Sequence, residues 1–186
     1  MPLKITLISA ICAFLVNLAN SDSVDCGELR GNNLKSPGWP DIYPLNIYTL
    51  NNCNFRLHIP LGKDMVVYFH FFDLETYLSC KYVGLDVSDS NGNLQRFCGI
   101  RTGATYLAKG HYVNLNLKAD DSVVKRGYDL YFIPVDPLST AAYRNFKDYD
   151  EAQDRQIEDA VRTFVKTHGL KRVESKSLED KKPEVI

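Results

Sequence analysis

Apolar and aromatic residues recur at every second position in five short runs, residues 55–59, 65–69, 85–87, 113–117 and 128–132. A period of two turns successive side chains to opposite faces of a pleated strand, so each run predicts a strand able to bury one face. Turn-forming clusters separate the runs at residues 60–64, 89–92, 102–103 and 119–122. Within them Asn91-Gly92, two residues that tolerate positive φ, predicts a hairpin. Many short strands joined in this way predict an all-β fold, an antiparallel two-sheet β-sandwich. Beyond residue 140 the period changes. Ile157, Ala160, Val161, Phe164 and Val165 stand at the i, i+3, i+4, i+7, i+8 spacing of an amphipathic helix. Asp148 and Glu151 resemble a capping box and Gly169 supplies a stop, which predicts a helix over about 149–168. Its stripe has two uses: docking on the sandwich, or offering Ile157, Val161 and Phe164 to a partner.

Charge density sharpens the division. Residues 22–135 carry 11 basic and 12 acidic side chains in 114, whereas residues 136–186 carry 10 and 11 in 51. Three segments are therefore expected: a leader over 1–21, a β domain over 22–135, and a charged extension over 136–186 that ends in a disordered tail. The leader is read from Lys4 ahead of the apolar run 5–18 and the small residues that follow, the pattern of a secretory signal peptide. No other run is long enough to span a membrane, so the mature chain is expected to be secreted and extracellular. A net charge of −1 over 186 residues argues against nucleic acid as a partner.

Removing the leader removes Cys12 and leaves Cys26, Cys53, Cys80 and Cys98, an even number that predicts two disulfides outside the cell. Counting leaves three pairings open. Cys80 and Cys98 flank the Asn91-Gly92 hairpin and can meet across its open end, which would leave Cys26 for Cys53. The four histidines show no metal-ligand spacing, and no C-x-x-C pair is present.

These residues taken together resemble the CUB domain, a secreted β-sandwich module of jelly-roll type. The likeness runs from Cys26-Gly27 through Ser36-Pro37-Gly38-Trp39-Pro40, Tyr43-Pro44, Cys53-Asn54-Phe55-Arg56-Leu57, Phe72-Asp73-Leu74-Glu75, Cys80-Lys81-Tyr82, Cys98-Gly99 and Asp120-Asp121-Ser122 to Gly127-Tyr128. It implies the same pairing, first cysteine with second and third with fourth. Many CUB domains also hold Ca²⁺ through three carboxylates. Glu75 and Asp120 match two of them, but the middle position is Val83. Calcium takes six to eight oxygen ligands and its affinity falls as ligand charge is lost, so the degenerate set weighs against a cofactor. Asp86 lies three residues on, on the opposite face of a strand, and is no substitute.

No nucleophile and base appear together, and no metalloprotease, hydrolase or phosphate-loop motif is present, so the sequence predicts a binding module rather than an enzyme. The resemblance implies an extracellular protein or glycan as partner. Candidate contacts are the loops 75–79 and 120–125, with Tyr77, Asp121 and Ser122, besides the helix stripe. Two alternatives stand beside a protein-binding module. One is a spermadhesin-like carbohydrate-binding protein; the other is the precursor of a peptide released at Lys171-Arg172 or Lys181-Lys182.

Overall fold

The computed structural model describes residues 27–36, 39–40, 53–76, 78–118 and 125–171. The leader, the charged tail, Cys26, Tyr77 and Asp120–Ser122 lie outside the described residues.

Nine strands form two antiparallel sheets. In chain order they are β1 (Glu28–Arg30), β2 (Asn33–Lys35), β3 (Cys53–His58), β4 (Asp64–Asp73), β5 (Gly84–Asp89), β6 (Leu94–Phe97), β7 (Thr105–Ala108), β8 (Tyr112–Lys118) and β9 (Gly127–Val135). One sheet has the order β1-β2-β9-β4-β7 and the other β3-β8-β5-β6. Their inner faces meet in one core. Met65, Val67, Phe69, Leu130 and Phe132 face Phe55, Leu57, Leu85, Val87, Val113 and Leu115 across it, all buried. Phe55 and Phe132 stack between the sheets with centroids 6.0 Å apart.

Inward positions in β4 are Met65, Val67 and Phe69 up to the middle of the strand, then Phe72, with Leu74 following just beyond its end. The parity changes because the β4–β9 register shifts between Phe69 and Phe71, leaving His70 as an extra residue. The bulge sends Phe71 to the outer face, where its ring meets Trp39 at 4.4 Å and carries the Arg126 guanidinium at 4.4 Å.

The Asn91-Gly92 turn joins β5 to β6, with Asp89 and Asn93 bonded across it. Only Gly92 takes a positive φ (88°). The amide of Gly92 donates to the Asp89 carbonyl, so the loop is a tight turn closed by a left-handed glycine and Asn91 stays in ordinary space. Asp89 organises the turn from inside: its carboxylate accepts from the amides of Asn91, Asn93 and Lys109 and from the Asn93 side chain. Burial raises its pKa, but these four hydrogen bonds outweigh that and hold the carboxyl below the usual carboxylate range.

The helix α1 spans Phe146–Thr167, starting one turn before the expected capping box. Asn145 is the cap. Its side-chain oxygen accepts from the Asp148 amide at 2.9 Å, which puts Asp148 inside the first turn. At the other end Leu170 donates to the Val165 carbonyl and Gly169 (φ 61°) to that of Lys166, a complete Schellman closure.

The apolar stripe is occupied by the protein's own sheet. Phe164 is buried, and Ile157, Ala160, Val161 and Leu170 pack with it against Val66, Tyr68, Tyr131, Ile133 and Val135 on the outer face of β4 and β9. Of the two uses open to Ile157, Val161 and Phe164, the structure has them docked on the protein's own sheet.

Candidate binding surface at the disulfide-held loops

Strand β4 leaves the sandwich at Asp73 and continues through Leu74, Glu75 and Thr76. A strip from Cys98 to Arg101 runs beside it and is stitched to it: Leu74 donates to the Gly99 carbonyl, Gly99 to that of Glu75 and Arg101 to that of Phe72. Gly99 has φ 67°, and a Cβ there would meet Thr76 Oγ1 at 2.9 Å, so this close approach needs glycine. Next comes a short 3-10 turn, Leu78–Cys80, in which Ser79 and Cys80 adopt left-handed φ of 59° and 50°. The Cys80–Cys98 disulfide, Cα atoms 5.6 Å apart, fastens that turn to the end of β6. Two left-handed non-glycine residues are costly unless the surroundings over-determine them, and here the covalent bridge and the stitched strip do so.

Exposed apolar residues cluster around this bridge. Leu78 is 85% exposed, Ile100 50% and Tyr82 39%, each within two residues of Cys80 or Cys98. The Lys81 ammonium sits 5.0 Å from the Tyr82 ring. These three apolar positions were not singled out from the sequence. The available signal was an apolar residue two positions from a cysteine in a turn-rich segment, which is also the pattern of an ordinary buried anchor.

The positions matching a calcium site are dispersed. Val83 is 5% exposed and belongs to the sandwich core, where it packs with the apolar cluster and has no oxygen to offer. Asp86, on the opposite face, is engaged by Arg96 through two hydrogen bonds and lies 3.9 Å from the Lys118 ammonium. That contact holds the Arg96 guanidinium's pKa above its ordinary value. Asp73 is buried with Arg126 Nε 3.6 Å away. Glu75 is half-buried at the start of the loop, whereas Asp120, Asp121, Ser122 and Tyr77 fall outside the described residues. Among the described residues no three or more His, Cys, Asp and Glu side chains gather to hold a metal. The donor set does not fit calcium at Val83.

Cys53 is also oxidised into a disulfide; its expected partner Cys26 lies outside the described residues. The histidines are scattered. His58 is exposed on β3 and His111 beside β8, while His70 is buried in the bulge, where desolvation lowers its pKa against a smaller upward pull from Asp129.

Two antiparallel sheets with a disulfide clasp at one loop end define a β-sandwich module. Residues 27–132 match the family model for the CUB domain, and the chain belongs to that family. Human procollagen C-endopeptidase enhancer 1 is 31% identical over 112 residues, which cover 57% of this chain and 24% of that protein. Human mannan-binding lectin serine protease 1 is 28% identical over 140 residues, 70% of this chain and 19% of that one. The chain thus spans about a quarter or less of these relatives. Among solved structures, the CUB1-EGF-CUB2 region of human MASP-1/3 superposes with a TM-score of 0.50 at 26% identity, covering 56% of this chain and 41% of that one.

Proposed function

We propose that this chain is a secreted, non-enzymatic recognition protein whose CUB domain contacts an extracellular protein through the Cys80–Cys98 loop end, without calcium. One observation carries the reading: Leu78, Ile100 and Tyr82 are exposed on a clasp held by a disulfide and three backbone hydrogen bonds, beside a Val83 buried in the core. A rigid loop loses little conformational entropy on binding, and apolar and aromatic side chains dominate the energetics of protein contacts. Secretion is supported by the charged and apolar pattern of residues 1–21 and by disulfide bonding. Pairing of Cys26 with Cys53 belongs to the same reading. So does a role for Tyr77, Asp121 and Ser122 as neighbouring contacts.

The test is affinity capture from extracellular fluid with the full secreted protein as bait. Capture is expected to persist in EDTA and to be lost in Leu78→Asp/Ile100→Asp, two exposed positions where the fold tolerates charge. Release of the partner by EDTA, or full capture by the double variant, overturns the proposal.

A further inference from the structure

The outer face of the four-stranded sheet is built unlike any other part of the molecule. The helix α1 packs on the other sheet. Strand register arranges its outward side chains in rows. Asn54, Asn116, Asp86 and Arg96 form one row; Arg56, Asn114, Ser88 and Leu94 form the next; His58 and Tyr112 form a third. Lys118 closes the end of β8 beside Gly84.

Three cations, Arg56, Arg96 and Lys118, thus share this face with one carboxylate, Asp86, which is buried beneath Arg96 and approached by Lys118. Two of them are held in place. Arg56 donates to Asn114 Oδ1 at 2.8 Å and lies 4.4 Å over the Tyr112 ring. The Arg96 stem runs across Gly84, where a Cβ would come within 3.3 Å of both that stem and the Cys80 side chain. Arg96 Nη2 and Lys118 Nζ lie 2.6 Å and 3.9 Å from Asp86 Oδ2 and so sit together, whereas Arg56, three strands away from Arg96, stands on the order of 15 Å from it by strand spacing and rise.

We propose that this face binds a polyanionic glycan, a sulfated or carboxylated polysaccharide chain lying flat across β3, β8, β5 and β6. A flat face with dispersed cations suits a polymer that reaches all of them at once, rather than a single sugar that needs a pocket. The asparagine and serine side chains between the cations offer the donors and acceptors that hydroxyl-rich rings require. Single-stranded nucleic acid shares the charge but binds by stacking bases on free aromatic rings, and the Tyr112 ring already carries Arg56. This surface adjoins the Cys80–Cys98 loop end at Gly84 but uses other side chains, so either proposal can fail alone.

Chromatography of the full secreted protein on immobilised heparin tests it, with desulfated heparin and an oligodeoxythymidylate as comparison matrices. Retention on heparin at physiological salt is expected, with weaker retention on the other two. Arg56→Gln/Lys118→Gln, both at exposed positions, elutes at lower salt. Its log-affinity against log-salt slope flattens by about 1.5, near 0.7–0.9 per cation removed from a linear polyanion. Lys171→Gln/Arg172→Gln/Lys176→Gln/Lys181→Gln/Lys182→Gln, which removes all five cations of the tail, elutes with the parent protein. Near-UV dichroism confirms that each variant is folded, and should the double variant be altered, Arg56→Gln alone is read for half the slope change. The proposal is overturned if the parent protein flows through, if the Arg56/Lys118 variant elutes unchanged, if the tail variant accounts for the shift, or if the oligonucleotide is retained as strongly as heparin.

Discussion

The two outward faces of the sandwich present opposite chemistry. On the five-stranded sheet, Val66, Tyr68, Tyr131, Ile133 and Val135 are apolar or aromatic and lie under α1; on the four-stranded sheet the equivalent positions are the polar Asn54, Arg56, Asn114, Asn116 and Ser88, exposed or half-exposed. The difference is written into the strands. Strands β4 and β9 are largely apolar on both sides because both sides are covered, whereas in β3 and β8 buried and more exposed positions alternate strictly. A doubly apolar strand in an antiparallel sandwich therefore announces a covering element elsewhere in the chain. Here that cover is the helix, which starts beyond residue 132 where the family match ends. The extension is part of the folded body.

Four measurements break or sharpen that contrast. The largest effect is expected from Val66→Asp, which buries an unpaired charge beneath α1 at a position with no exposure. It should cost about 3–5 kcal/mol in urea unfolding, while Ser88→Asp on the bare face should change stability by less than about 0.5 kcal/mol. Comparable losses at both sites would show that the faces do not differ as described. Phe164→Ala removes the one fully docked helix side chain and should cost about 3 kcal/mol. Hydrogen exchange should accelerate throughout α1 before it does in β3 or β8; uniform acceleration would mean the helix does not open as a unit. Asn145→Ala removes the cap hydrogen bond to Asp148 and should cost about 1 kcal/mol, with exchange rising in the first turn only.

The smallest of the four effects concerns pH. His70 sits in the bulge under the covered face, facing Tyr68, Tyr131, Asp129 and Lys35, with Glu158, Arg162 and Lys166 of α1 around the same groove. Its folded pKa is depressed by desolvation. The unfolded chain therefore binds a proton first, so stability is complete above the unfolded value of about 6.5 and declines as pH falls toward the folded value. Melting temperature should drop between about pH 7 and pH 5, and His70→Gln should flatten that slope. An unchanged slope in the variant assigns the drop to other groups.

The sandwich was legible where a strand is long and half-buried, because alternation then has enough positions to show. Strands β1, β2, β6 and β7 have three or four residues each and depend on their pairing partners, so no local period revealed them. The bulge at His70 was hidden because apolar and aromatic residues flank it on both faces of β4, so a parity change leaves little trace in the pattern. Helix α1 showed through its stripe, but its start did not. Asn145 caps as well as Asp148 could, and Phe146 is 87% exposed, so hydrophobicity gave no guide to where the first turn lies. For the candidate site, the missing calcium carboxylate was readable as Val83 and the Cys80–Cys98 bond from its hairpin, while the exposure of Leu78, Ile100 and Tyr82 around that bond was not, since an apolar residue beside a cysteine reads equally as a buried anchor.

The knot of Gly169 and Leu170 at the end of α1 draws a border along the polypeptide. Among the described residues Leu170 is the last in the apolar cluster under α1, and the dibasic Lys171-Arg172 follows at once. A trypsin-like processing enzyme cutting there would shed the tail and leave every buried apolar contact of the helix in place, so the shortened protein would melt at the same temperature as its parent.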